Sequence, residues 1–283
     1  MLAKICKLVV CFAALFMAGP ALAATCADLG RLSIDTVVIS ETENREAGNL
    51  SQNRGADLSL PAHCRVAAVL SPSDDSHIEM ELWLPDNWNG KFLALGNGGW
   101  AGSISFSAMA IGLQSGYAVA SNDTGHIGGS AAFAVGHPEK VIDFAWRAMH
   151  EMTRHSKTLI ESFYARPPRF SYYQGCSTGG RQGMMSAQRF PEDFDAIIAG
   201  APVYNQLALN AVQFHNMKTL IENRPLALSP EKVQLLHEAL MASCEANDGV
   251  ADGFLNDPLS CAFEPESLRC EGSQTSACLT GDE

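Results

Sequence analysis

The chain has 283 residues, 47% of them hydrophobic, and a formal net charge of −12. That length suits one large domain, or one domain and part of another. So acidic a chain repels phosphate backbones, which argues against nucleic acid as a partner.

The N-terminus reads as a secretory signal. Lys4 and Lys7 form a basic start, and Leu8 to Met17 is an apolar run too short to span a bilayer. Gly19-Pro20 breaks that run before Ala21-Leu22-Ala23, a small-x-small cleavage site. Residues 1–23 are therefore expected to be removed, so that the mature protein begins at Ala24 and is secreted or periplasmic. No later stretch is long and apolar enough for a membrane helix, and no membrane partner is expected. Of nine cysteines, Cys6 and Cys11 leave with the signal. Cys26, Cys64, Cys176, Cys244, Cys261, Cys270 and Cys278 remain, as suits an oxidising compartment. Seven is odd, so at least one has no partner within this chain. Asn49-Leu50-Ser51 and Asn122-Asp123-Thr124 match the glycosylation pattern.

Residues 24–60 are mixed and polar, with one apolar run at Val37-Val38-Ile39. Cys64 to Leu70 reads as a strand, and His77 to Pro85 alternates as a half-buried strand does. Turn chemistry at Asp86 to Gly90 leads to a buried strand, Lys91 to Leu95, which runs into Gly96-Asn97-Gly98-Gly99-Trp100-Ala101-Gly102. No Gly-Lys-Ser/Thr follows that loop, so it is not a P-loop. Gly98 and Gly99 can offer backbone N–H groups to an oxyanion, although a plain flexible turn has the same composition.

Ser105 to Ser115 is expected to be helical and Gly116 to Ser121 a strand, ending in Asn122-Asp123-Thr124-Gly125-His126. Asp123 and His126 suggest an acid and a base. In strand–turn–helix hydrolases, however, both follow the serine in chain order, so Asp123 is expected to cap a turn instead. Pro138 to Ala165 reads as one amphipathic helix, with Val141, Phe144, Ala148, Met152, Leu159 and Phe163 at helical spacing. Its His150 and His155 are expected to be exposed or capping residues.

Next comes Ser171-Tyr172-Tyr173-Gln174-Gly175-Cys176-Ser177-Thr178-Gly179-Gly180-Arg181. An aromatic strand feeds a Gly-x-Ser-x-Gly turn and a helical pattern follows, the layout of a nucleophile elbow. Glycines flank Ser177 at both second neighbours, whereas Cys176 has Gln174 and Thr178 there. Ser177 is thus the candidate nucleophile, and the Thr178 N–H a candidate oxyanion donor. A helix to Phe190 and a buried strand from Ala196 to Pro202 complete an alternation that predicts a largely parallel sheet covered on both faces.

From about Val203 the texture changes. Residues 206–243 are helical, and an acidic stretch between Cys244 and Cys261 follows, with two Asp-Gly turns. It can supply carboxylates from Glu245, Asp248 and Asp252 and carbonyls from Val250 and Phe254, the oxygen ligands a hard cation such as Ca²⁺ takes. Two ordinary Asp-Gly turns would look the same. A Cys244–Cys261 bridge closing a loop of this size would stabilise by ~3 kcal/mol.

These stretches together resemble the tannase/feruloyl esterase family. The matches include Asn87-Trp88-Asn89-Gly90-Lys91-Phe92, Gly96-Asn97-Gly98-Gly99, His137-Pro138-Glu139-Lys140, Gly175 to Gln182, Ala199-Gly200-Ala201-Pro202 and Asp248-Gly249-Val250-Ala251-Asp252-Gly253. The resemblance implies an α/β-hydrolase core over residues 24–205 and the start of an inserted lid domain over 206–283. It implies Ser177 as the acyl-enzyme nucleophile, with Gly99 and Thr178 N–H groups as the oxyanion hole. It implies structural Ca²⁺ held by Glu245, Asp248, Val250, Asp252 and Phe254; Glu245 stands where the family usually has Asp. Cys26–Cys64 and Cys244–Cys261 would be bridges, with Cys270–Cys278 expected as a third. Cys176 would pair with a cysteine that follows the catalytic histidine, outside this chain. Family members run about twice as far, and their catalytic Asp and His lie beyond the lid. His215 and His237 are in lid-like helical sequence, and neither is assigned as the base. The chain is thus expected to be the N-terminal part of a secreted esterase for feruloyl or galloyl-type esters. A non-catalytic, Ca²⁺-stabilised binding module and a peptidase on the same fold are the alternatives.

Overall fold

The computed structural model describes residues 23–51, 55–100, 102–222, 228–272, 276–281 and 283. The expected signal, apart from Ala23, lies outside them. Two compact units divide between Tyr204 and Asn205.

The first unit is built on a seven-stranded sheet. Its strands are β1 (Val37–Arg45), β4 (His63–Leu70), β5 (Ile78–Pro85), β6 (Lys91–Leu95), β7 (Ala118–Asn122), β8 (Phe170–Cys176) and β9 (Ala196–Gly200). A separate hairpin pairs β2 (Gly48–Leu50) with β3 (Leu58–Leu60). The sheet order is β1-β4-β5-β7-β6-β8-β9. Parallel pairing joins β7 to β6, β6 to β8 and β8 to β9, while β1, β4, β5 and β7 pair antiparallel. The sheet is therefore mixed, and the strand–helix alternation seen in the sequence belongs to its parallel half. Hairpin-length links at 71–77 leave room for nothing but antiparallel pairing of β4 and β5.

Helices pack on both faces but do not cover them fully. Among these helices are α1 (Cys26–Leu29), α2 (Phe106–Gln114), α3 (Pro138–Ile142), α4 (Ala148–Tyr164) and α5 (Thr178–Arg189). The strand expected to be buried from Ala196 is β9, an edge strand whose Ile198 is 65% exposed on the α2 side, because α2 reaches β7 and β6 and leaves that face of β9 uncovered. Leu29, Met149, Met152 and Ile160 pack with Met80, Leu82 and Ala120 of the sheet, and Met109 and Leu113 of α2 pack with Trp83 and Val119. Thr25 and Asp28 form a capping box on α1, and a Cys26–Cys64 disulfide ties that helix to β4.

Three local expectations are corrected. The helix from Pro138 is interrupted by a π turn at Asp143–Arg147, where the Ala148 N–H reaches back to the Asp143 carbonyl. His155 is 1% exposed rather than on the surface. Its Nε2 lies 3.3 Å from Glu151 Oε2, and that contact, with Arg154, holds the Glu151 carboxyl at about 2. His150 is half-buried, stacked on Phe190 at 3.8 Å and 2.9 Å from Asp193 Oδ2. Finally, Asn122 is fully buried and donates to the Ala148 carbonyl at 3.1 Å, so it cannot accept a glycan in the folded state. Asn49 is exposed.

The second unit holds α6 (Gln206–Glu222) and α7 (Pro230–Cys244), then short helical turns. Pro230 at the first turn and Ser229 as N-cap start α7. Disulfides join Cys244 to Cys261 and Cys270 to Cys278. Lys232 pairs with Glu283, and Arg269 bridges to Leu279.

Candidate active site

Strand β8 ends in the turn that carries Ser177. Its backbone has φ +60° and ψ −117°, which L residues rarely adopt and which belongs to active-site strain when the surroundings enforce it. They do so here. The Ser177 N–H donates to the Gly200 carbonyl at 3.0 Å, and the Ser177 carbonyl accepts from Arg181 and Val203. A Cβ on Gly175 would lie 2.6 Å from both the Gly179 carbonyl carbon and the Tyr173 hydroxyl. Only glycine lets β8 and α5 approach that closely. The buried Tyr173 hydroxyl donates to the Gly179 carbonyl at 2.7 Å, and burial pushes its pKa well above the usual value.

The glycine loop after β6 is fastened to the same helix. Gln182 Oε1 accepts from the Asn97 N–H and Gln182 Nε2 donates to Asn97 Oδ1, both at 3.0 Å. Asn97 Nδ2 donates to the Ser103 carbonyl, 3.0 Å, and to the Asn122 carbonyl, 2.7 Å, so one side chain closes the loop on itself. Thr178 Oγ1 donates to the Gly99 carbonyl at 2.8 Å. Gly99 has φ +56°. The N–H groups of Gly98, Gly99 and Thr178 meet no backbone or side-chain acceptor among the described residues. Thr178 opens α5, where the first N–H groups lack helical partners and the dipole end is positive. The Thr178 contact to Gly99 and the Gln182 contacts to Asn97 thus bring the glycine loop to the start of α5, next to Ser177.

No side chain among the described residues hydrogen-bonds Ser177 Oγ. His126 Nε2 donates to the Trp100 carbonyl at 2.6 Å, so its Nδ1 is the acceptor for Thr124 Oγ1 at 3.2 Å. Both nitrogens are spent on structure. Asp123 caps its turn as expected, accepting from Gly125 N at 2.8 Å and Glu79 N at 3.0 Å. Burial raises its pKa to about 7, against those hydrogen bonds. His215 and His237 lie on α6 and α7. Cys176 is a free, exposed thiol. A cavity of about 250 Å³ beside the turn is lined by Gly96, Gln174, Gly175, Cys176 and Gly200. Another of about 430 Å³ runs along the sheet by α2 and does not touch Ser177.

In the acidic loop, Asp248 accepts from Val250 N at 2.9 Å and from Asn256, Asp252 accepts from Phe254 N at 3.2 Å, and Glu245 accepts from Gly253 N. The donors are all hard oxygens, which fits Ca²⁺ by chemistry. Among the described residues no three acidic side chains converge on one point.

Asn97, Tyr173, Arg181 and Gln182 were not singled out by the sequence. The signal available was weak: Thr178, Arg181 and Gln182 stand at i, i+3 and i+4, one face of α5.

A model described as tannase and feruloyl esterase matches residues 64–283. An uncharacterised esterase of Xanthomonas campestris is 39% identical over 262 residues, 91% of this chain and 45% of that protein. A probable feruloyl esterase B-2 of Aspergillus flavus is 40% identical over 77% of this chain and 42% of its own length. The crystal structure of feruloyl esterase B from Aspergillus oryzae superposes with a TM-score of 0.77 at 33% identity, over 89% of this chain and 52% of that one. Tannin acyl hydrolase from Aspergillus niger gives 0.61 at 26% identity, over 78% and 43%. The chain spans about half the length of the relatives it matches. Its sheet and its strand–turn–helix make an α/β-hydrolase core, and with residues 64–283 matched the chain belongs to the tannase and feruloyl esterase family.

Proposed function

We propose that this chain carries the nucleophile half of a secreted serine esterase for esters of aromatic acids such as ferulate or gallate. One observation carries the reading: Ser177 is held in a strained conformation at the N-terminus of α5, to which the glycine loop is fastened, and the Thr178, Gly98 and Gly99 N–H groups have no acceptor among the described residues. In the reaction, a base takes the Ser177 proton and Oγ attacks the ester carbonyl. The N–H groups of Thr178 and Gly99 receive the oxyanion, the alcohol leaves with the proton, and water then releases the acid. The base and its acid are proposed to lie in sequence outside these residues, because no histidine among the described residues hydrogen-bonds Ser177 and His126, the one in the loop after β7, has both nitrogens engaged. Cys176, the exposed thiol next to Ser177, is proposed to pair with a cysteine outside these residues. The second unit is read as the start of a lid. The aromatic acyl preference rests on the relatives named feruloyl esterase and tannin acyl hydrolase. Three disulfides and the N-terminal pattern support secretion.

Residues 24–283 alone, assayed with a p-nitrophenyl ester and a peptide amide, are expected to turn over neither above a Ser177→Ala control. Serine-dependent ester turnover by this piece would refute the incomplete triad, and amide turnover would favour a peptidase. A binding module is favoured if the complete polypeptide also fails to hydrolyse any aryl ester.

Glu245, Asp248 and Asp252 with the Val250 and Phe254 carbonyls are proposed as ligands of a structural Ca²⁺ that would tie the loop between Cys244 and Cys261; the three carboxylates do not converge on one point, so binding would have to draw them together. Calcium at a hundredfold excess over its Kd should stabilise by about 2.7 kcal/mol relative to chelator. Asp248→Asn should abolish that shift. A melting temperature indifferent to calcium would contradict the site.

A further inference from the structure

Arg181 is 7% exposed, and no carboxylate pairs with it among the described residues. A guanidinium buried without a counter-charge is costly unless its donors are used. Nη1 donates to the Ala145 carbonyl at 2.9 Å and Nη2 to the Phe144 carbonyl at 3.1 Å, while Nε has no partner. Those carbonyls belong to the π turn. In an α-helix the Phe144 carbonyl would accept from the Ala148 N–H, but here that N–H goes to Asp143. The extra residue in the turn therefore frees an acceptor for α5.

The guanidinium also lies over the Phe144 ring, 4.8 Å from its centroid. Phe144 stacks on Trp100 at 5.0 Å and 25°. Trp100 directly follows Gly99, and its carbonyl accepts from His126, itself stacked on Phe133 at 3.8 Å. The glycine loop is thus gripped at three points from one face of α5: Gln182 holds Asn97, Thr178 holds Gly99, and Arg181 reaches Trp100 through Phe144.

We infer that Arg181 is a positioning residue that acts through the Phe144–Trp100 stack, holding the far side of the glycine loop so that the Gly98 and Gly99 N–H groups face Ser177. Its catalytic meaning rests on the reading of Ser177 as nucleophile, but its placement of the loop does not.

The test uses residues 24–283 and reads amide exchange at Gly102 and Gly128, whose mutual backbone bonds of 2.7 and 3.2 Å fasten the end of the loop to the segment after His126. Arg181→Met and Phe144→Leu should each speed exchange there by about tenfold or more. Exchange in β4 and β5 should stay at the wild-type rate, and Phe144→Tyr, which keeps the stacked ring, should restore protection. Phe144→Leu leaves the backbone carbonyls and Arg181 intact, so it serves where Arg181→Met fails to fold. Wild-type exchange at Gly102 and Gly128 in Phe144→Leu, or equal acceleration in β4 and β5, overturns the proposal. In the complete polypeptide, Phe144→Leu should lower kcat with KM unchanged and Phe144→Tyr should recover it; a change confined to KM counts against it. The exchange arm needs no catalysis, so a failure of the esterase reading leaves it intact and is seen separately.

Discussion

Replacing Ser177 by glycine should remove the nucleophile and yet stabilise the fold relative to alanine at the same position. At φ +60° and ψ −117°, Ser177 lies well away from the left-handed helical well near ψ +47° and in territory that suits glycine. Holding an L residue there costs about 1–3 kcal/mol. Glycine relieves that strain but widens the unfolded ensemble, which costs about 0.4–1 kcal/mol. The net gain of Ser177→Gly over Ser177→Ala is therefore about 1 kcal/mol, or roughly 2–4 °C for a domain of this size. Alanine is the right reference, since it keeps the Cβ and loses a hydroxyl that no side chain among the described residues engages. Calorimetric melting of residues 24–283 measures both variants. A Ser177→Gly protein that melts at or below Ser177→Ala would show that the turn is unstrained and refute the reasoning.

Other perturbations have equally definite signs. Gly175→Ala places a Cβ 2.6 Å from the Tyr173 hydroxyl and should cost about 1–3 kcal/mol by overpacking; an unchanged denaturation midpoint would contradict this close approach. Asp123 titrates at about 7 in the fold against an ordinary 3.8. Between those values the folded state keeps a proton that the unfolded chain has released, so stability from this group is present at low pH and declines as pH rises through that window. Asp123→Asn keeps the acceptor oxygen and should remove the decline, whose ceiling is about 4 kcal/mol at about 1.4 kcal/mol per pH unit; a pH slope unaltered by the substitution would count against it. One thiol per folded molecule of residues 24–283 should react with Ellman's reagent, and none in Cys176→Ser.

Much of this could be read from residue order, because the strongest signals are local. The Gly-x-Ser-x-Gly frame and the glycine loop depend on neighbours a few positions apart, and each appears where expected. The stretch from His77 to Pro85 does form a strand, but not the half-buried one its alternation suggests, because Glu81 and Trp83 on the second face are 3% exposed, Glu81 paired with Arg65 and the Trp83 indole N–H. What was hidden depends on partners far away in sequence. The Phe144, Ala148 and Met152 spacing suits a continuous helix whether or not a π turn intervenes, and only Arg181, 37 residues on, shows what the turn is for. His155 looks like a surface residue until Glu151 and Arg154 are seen to satisfy it. The pairing of β5 with β7 was equally hidden, since β6 lies between them in sequence, whereas that of β4 with β5 follows from their short link. Asn97 was legible only as loop composition, yet its side chain reaches Ser103, Asn122 and Gln182 at once.

The claim on which the rest turns is that Ser177 forms the acyl-enzyme. Steady-state hydrolysis of methyl ferulate by the complete polypeptide, with and without Ser177→Ala, tests it most directly. The account predicts that the substitution lowers kcat by at least about 10⁴-fold. Activity retained within tenfold of wild type would contradict it.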